Sequence, residues 1–311
     1  YFVGQDSFTY TVSDGRGGEA TAIVSINVLD AYQPTGPRPI ISIDFGAGSQ
    51  YGSGLTSKMG LDEVAGLFPV PNWNSIDPIT FSPPASGALP ILVDSYGTEI
   101  NGATVSFSGP NIYSCPTIED TPGDIRMMRG YLDAWEPANK STITVNGLPG
   151  AFTANGYDVI VYYVGDVPSI SRVARYQITS GSDTQVFFGR PFPSTFDGNY
   201  VLAAGATDQG MDTPQGNYVR FASLSVNNFT LTSYGSSGDI LRASVQGLQI
   251  VPCLKLAIAR DSEGVVVTWS GSAILESADQ IEGPWTRLTE ASSPFHVTAD
   301  GARKFYRLAL P

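Results

Sequence analysis

The chain has 311 residues, with 34 Gly, 22 Pro and only 15% charged residues, which is room for two or three domains. Its formal net charge of −12 repels phosphate polyanions and excludes nucleic acid as an expected partner. No apolar run approaches the ~18 residues of a membrane-spanning helix, so membrane insertion is not expected. Short β-rich runs punctuated by Gly, Pro, Ser, Asn and Asp predict an all-β protein of sandwiches.

The first element is a β-hairpin over residues 6–30. Phe8, Tyr10 and Val12 alternate with Thr9, Thr11 and Ser13. After a Gly-rich turn at 14–18, Ala22, Val24, Ile26 and Val28 alternate with Ile23, Ser25 and Asn27. Period-2 patterning on both sides of such a turn is a hairpin signal. A lone hairpin is marginal in water, so the apolar face needs a cover. The expectation is either a segment excised from a longer chain or a partner surface, including a second copy paired through residues 1–32. This stretch resembles the last two strands of the cadherin-like, VCBS-type tandem repeats of large bacterial secreted proteins. That resemblance implies an incomplete Ig-like spacer.

Residues 33–38 contain Pro34 and Pro37 and are followed by Pro39, the composition of an extended, semi-rigid linker. A second domain is expected over 39–252. It opens with a strand at 40–46 and closes with one at 245–251, with others near 90–94, 102–108, 125–132, 141–147, 157–164, 172–179, 184–188, 217–224 and 228–234. Residues 157–164 are apolar at every position but Asp158, as in a central strand covered on both faces. A short helix is expected near 61–67. Several segments, among them Ile43-Asp44-Phe45-Gly46, Pro71-Asn72-Trp73-Asn74 and Met128-Arg129-Gly130-Tyr131-Leu132-Asp133, resemble jelly-roll modules of secreted bacterial surface and polysaccharide-active proteins. The resemblance implies a galactose-binding-like β-sandwich with first and last strands paired.

Six short strands are expected over 253–311, in a small fibronectin-like β-sandwich. The run from Val267 through Trp285 and His296 to Leu310 resembles the carboxy-terminal β-domain of such secreted proteins. Trp269 and Trp285 read as its core.

Few residues carry chemistry. His296 is the only histidine, and it lies far in sequence from both cysteines, which argues against a triad or a zinc site. Cys115 and Cys253 either form a disulfide or stay as free thiols. Glu119, Asp120 and Asp124 present carboxylates in a Pro/Gly loop, the oxygen chemistry of a structural Ca²⁺ site, and residues 208–212 offer a second loop. Sugar binding needs aromatic faces flanked by polar groups. Trp73 and Trp135 lie in loops, and Tyr131, Arg129 and Asp133 lie close to Trp135 in sequence. Tyr51, Tyr113 and Tyr234 are weaker candidates.

The expected function is a non-catalytic extracellular region that binds polysaccharide or a cell-surface glycan in adhesion. The alternative is a self-assembling subunit of a filament or surface layer using strand exchange, and the third is a polysaccharide hydrolase or lyase.

Overall fold

The computed structural model describes residues 4–13, 16–28, 39–47, 58–79, 85–165, 171–193, 195–262, 264–269, 273–297 and 303–309. The linker at 33–38 and Tyr51 lie outside the described residues. The chain divides into two compact units, Tyr1–Thr35 and Gly36–Pro311.

In the first unit, β1 (Gly4–Ser13) pairs antiparallel with β2 (Glu19–Val28), in register from Gly4 opposite Val28 to Ser13 opposite Glu19. The hairpin expected at 6–30 is present, with the hydroxyls of Thr11 and Thr21 3.0 Å apart.

The second unit is all-β apart from single helical turns. In chain order it comprises β3 (Ile41–Ala47), β4 (Asn74–Ile79), β5 (Ala85–Leu89), β6 (Leu92–Val93), β7 (Glu99–Ile100), β8 (Thr104–Gly109), β9 (Asn111–Ser114), α1 (Asp124–Met127), β10 (Gly130–Ala134), β11 (Ser141–Asn146), α2 (Gly150–Thr153) and β12 (Tyr157–Tyr162). Then follow β13 (Arg172–Ser180), β14 (Asp183–Pro191), β15 (Gln215–Gly216), β16 (Tyr218–Leu224), β17 (Phe229–Gly238), β18 (Ala243–Val245) and β19 (Gly247–Pro252). The last six are β20 (Leu256–Asp261), β21 (Gly264–Trp269), β22 (Ile274–Ala278), β23 (Thr286–Leu288), β24 (Phe295–Val297) and β25 (Phe305–Ala309).

A seven-stranded sheet, ordered β15-β14-β13-β17-β11-β8-β5, and a five-stranded sheet, ordered β16-β12-β19-β3-β4, share one apolar core. Ile143, Tyr176, Ile178 and Leu231 enter it from the first sheet, and Ile43, Val159, Val161 and Ile250 from the second. Phe45 meets Phe107 edge-on, with centroids 5.4 Å apart. The first strand, β3, pairs with the last, β19, through Ile41 opposite Ile250 and Asp44 opposite Gly247. That is the closure expected of a sandwich whose ends meet.

The five-stranded sheet is covered on its other face as well. A second apolar cluster packs Ile160, Tyr162 and Val251 against Met59, Phe68, Trp73 and Met127 of the overlying loops. Burial on both faces accounts for the apolar run of β12, which is buried at all six positions and lies between β16 and β19.

Two expected elements are corrected. The helix expected at 61–67 is a loop closed by an Ala65–Val70 bridge with reciprocal 3.3 Å hydrogen bonds. Gly66 inside it has φ +97°, and a Cβ there would lie 2.6 Å from the Gln249 side chain. The strand expected at 125–132 is split into α1 and β10, because Gly123 (φ +89°) turns the chain into one helical turn before extension resumes.

After residue 253, two three-stranded sheets form, β20-β21-β24 and β23-β22-β25. They supply the six short strands expected over 253–311. Trp285 lies 4.2 Å under the Arg307 guanidinium.

Candidate functional site

Four of the five residues expected to bind sugar are structural. Trp73 is 4% exposed, donates Nε1–H to the Val70 carbonyl at 3.0 Å, and packs on Tyr162. Arg129 is buried and donates to the Ile118 carbonyl at 2.8 Å, fastening the 115–129 loop. Tyr131 is buried opposite Tyr113, and Asp133 is buried as well. The expectation that these residues form an exposed platform is corrected: β10 is buried at every position, flanked by β9 and β18. Alternation in a single strand could not show that both of its faces are covered.

Trp135, the fifth, is half-buried in a built environment. Its carbonyl accepts from Gly235 N at 2.5 Å and its N–H donates to the Asn139 carbonyl at 2.9 Å. Arg242 lies over its ring at 5.1 Å and donates Nη1–H to Asp133 Oδ2 at 2.5 Å. Burial pushes the Asp133 carboxyl up to about 6, against the opposing pull of Arg242 and Arg172.

Next to this cluster lies the outer face of the seven-stranded sheet. Register places Ser106, Thr144, Thr230, Thr179 and Thr184 side by side across five strands. A second row sets Ser86, Ser108, Thr142, Thr232 and Gln177 side by side. All ten are exposed or half-buried, and none is charged. Thr144 and Thr230 hydroxyls are 3.1 Å apart, and Gln177 Nε2 donates to Thr179 Oγ1 at 3.2 Å. The border beyond Thr232 and Gln177 is Tyr234 and Arg175, paired in register. Arg175 sits 5.2 Å from the Tyr234 ring and 6.0 Å from Phe188, and donates to Gln177 Oε1 at 2.6 Å. Sequence reading ranked Tyr234 low and passed over the Ser/Thr rows. The signal was the polar alternation of 104–109, 141–146 and 229–234; missing was the knowledge that these strands are neighbours.

The acids expected to bind Ca²⁺ do not converge. Arg126 donates to Asp120 Oδ1 at 2.8 Å and pairs with Glu63. Asp124 Oδ1 accepts from Gly66 N at 2.7 Å and from Tyr200 Oη at 2.5 Å, while Glu119 is exposed. The positive charge in this cluster is the Arg126 guanidinium. Among the described residues, no group of three or more His, Cys, Asp or Glu side chains is arranged to hold a metal ion. In the second loop, Asp208 Oδ1 accepts from Gly210 N at 2.9 Å and Ser237 Oγ at 2.8 Å, an ordinary turn arrangement.

Cys115 and Cys253 are free thiols, so the disulfide alternative is corrected. Cys115 Sγ is buried 3.5 Å from the Gly165 carbonyl, and Cys253 Sγ lies 3.5 Å from Asp158 Oδ1. His296 Nδ1 is 3.7 Å from Asp261 Oδ2 on the surface of the small sheets.

A family model described as a bacterial Ig domain matches residues 1–27, the hairpin segment, under a tenth of the chain. Comparison with curated proteins and with solved structures returns no match.

Proposed function

We propose that this chain is a non-catalytic extracellular region that holds a larger secreted or surface protein on neutral polysaccharide or cell-surface glycan. The observation that carries the reading is the outer face of the seven-stranded sheet. Two rows of hydroxyls and an amide lie side by side and free of charge in a chain whose net charge is −12. Ser and Thr hydroxyls both donate and accept, matching the hydroxyls of a sugar chain laid across the strands. Tyr234, Phe188 and Arg175 border the rows with rings and a cation, and Trp135 joins that border through its bond to Gly235. The test is retention on a panel of insoluble neutral polysaccharides. The wild-type chain should be retained, and Thr142→Glu/Thr232→Glu, which sets two carboxylates on the face, should not. Failure of the wild type to bind any member overturns the reading.

The hairpin supports a second reading. Among the described residues β1 and β2 pair only with each other, and the bacterial Ig match agrees with a cadherin-like, VCBS-type spacer. An uncovered ribbon edge is a template for a strand from another copy. Under this reading, removing residues 1–35 turns assemblies into monomers; assemblies that survive the deletion would exclude it.

A further inference from the structure

We infer that the hydroxyl-bearing face selects extended, equatorially linked glycans such as β-1,4-glucan or β-1,4-mannan, and that the bound chain crosses the strands with about one sugar residue per strand. The inference rests on the reading of this face as a glycan platform and adds the direction and linkage of the ligand.

The direction follows from the register. Neighbouring strands lie about 4.8 Å apart, whereas same-face residues along one strand recur about every 6.8 Å. Across the sheet, polar side chains stand one per strand on five consecutive strands. The first row runs from Thr184 on β14 to Ser106 on β8, and the second from Gln177 on β13 to Ser86 on β5. Along a strand the run is shorter: β11 offers Thr142 and Thr144, and β17 offers Thr230 and Thr232 before Tyr234. A row of five spans about 19 Å, the reach of an oligosaccharide, and a column of two does not. Each row also ends at an apolar residue. Ala88 on β5 follows Ser106, and Val186 on β14 follows Gln177. Both rows are polar together on β13, β17, β11 and β8.

The linkage follows from the step. A pyranose joined through equatorial bonds at opposite ends of its ring advances by one ring and one bridging oxygen per residue, close to one strand step. Its hydroxyls project from both edges of a ribbon, and the two rows stand about 6.8 Å apart, one beneath each edge. An α-1,4-glucan curls, so its successive residues turn away from a row. Sheets twist by about 20° per strand, and a single chain follows that turn through the two torsions of every linkage.

Bonds within the face leave capacity for the ligand. The Thr144 and Thr230 hydroxyls share one proton across 3.1 Å, so the pair keeps its second proton and unused lone pairs. Gln177 uses one N–H on Thr179 and accepts from Arg175, which leaves its second N–H.

The experiment is calorimetric titration of the full chain with size-defined cello- and manno-oligosaccharides, linked β-1,4, and with malto-oligosaccharides, linked α-1,4. Wild type should bind the β-1,4 oligomers. Each added residue should tighten binding about two- to tenfold, levelling off once the ligand spans the rows at about five residues. The α-1,4 oligomers should not bind. Thr179→Val/Thr184→Val removes the β14 end of the first row with side chains of similar shape at exposed positions. It should leave affinity for the trimer unchanged and bring the levelling to a shorter oligomer. Ser86→Ala/Ser108→Ala, also at exposed positions, should do the same from the opposite end, so either variant suffices if the other does not fold. Levelling at the wild-type length in the variants overturns the inference and leaves the platform reading intact. So does affinity that ignores ligand length, equal binding of α-1,4 oligomers, or retention on an insoluble polysaccharide with neither linkage bound in solution. Binding of no glycan, soluble or insoluble, removes the platform reading and this inference together.

Discussion

Ser75 Oγ donates a 2.9 Å hydrogen bond to Oδ2 of Asp44, and Asp44 Oδ1 has no hydrogen-bond partner. The carboxyl is fully buried, and that burial pushes it up to about 8, with the Ser75 bond pulling the other way and Glu63 adding to the rise. The folded state therefore keeps a proton that the unfolded chain releases near 3.8. Stability from this group is full below the unfolded value and is lost as pH rises through the folded one. Asp44→Asn keeps the neutral form at every pH. Relative to wild type it should gain on the order of 4 kcal/mol between about pH 5 and pH 9. Urea unfolding at both ends of that range measures it; parallel pH profiles for the two proteins would contradict the assignment.

Arg242 neutralises Asp133 and covers Trp135. Arg242→Ala should strand a buried carboxylate and cost roughly 1–3 kcal/mol, toward the lower end because the guanidinium side chain is 35% exposed. Tryptophan emission should shift to the red as Trp135 gains water. Arg242→Lys should restore charge without the planar stack, recovering the unfolding midpoint further than the emission.

Tyr162 Oη donates to Gln249 Oε1 at 2.6 Å and accepts from Leu67 N at 2.7 Å. In Tyr162→Phe the Leu67 N–H loses that acceptor, at a cost of about 1–3 kcal/mol. Hydrogen exchange should speed up at 65–70 while β13 and β17 keep their protection. Uniform loss of protection would show that the loop layer and the sandwich open together.

Both cysteines should titrate as thiols in denaturant without reductant. In the native chain Cys115, fully buried, should resist alkylation, and half-buried Cys253 should react first. A non-reduced mass lower by the two hydrogens of a disulfide would overturn the free-thiol assignment.

Much of the fold was legible because strand alternation is local. Residues 141–147, 172–179 and 228–234 declare one apolar face each, and β11, β13 and β17 occupy them. The apolar run at 157–164 announced a strand covered twice. Asp44 and Gln249 gave no such notice, since a polar residue inside a strand ordinarily faces water; here loops fold over that face and bury them. Trp73 misled for the same reason: a Pro/Asn loop looks exposed until the loop proves to be part of a second core. The Ser/Thr rows arise from strands far apart in sequence, brought together by topology that no single segment encodes.

The pairing of Ile41 with Ile250 sets the start of the large sandwich beside its end. Tension applied between the flanking residues would peel β3 from β19 one rung at a time rather than shear the whole ladder at once. The sandwich thus behaves as a side branch with a soft clasp, and a load carried along the chain would open this ladder well before it strained the sheet bearing the hydroxyl rows.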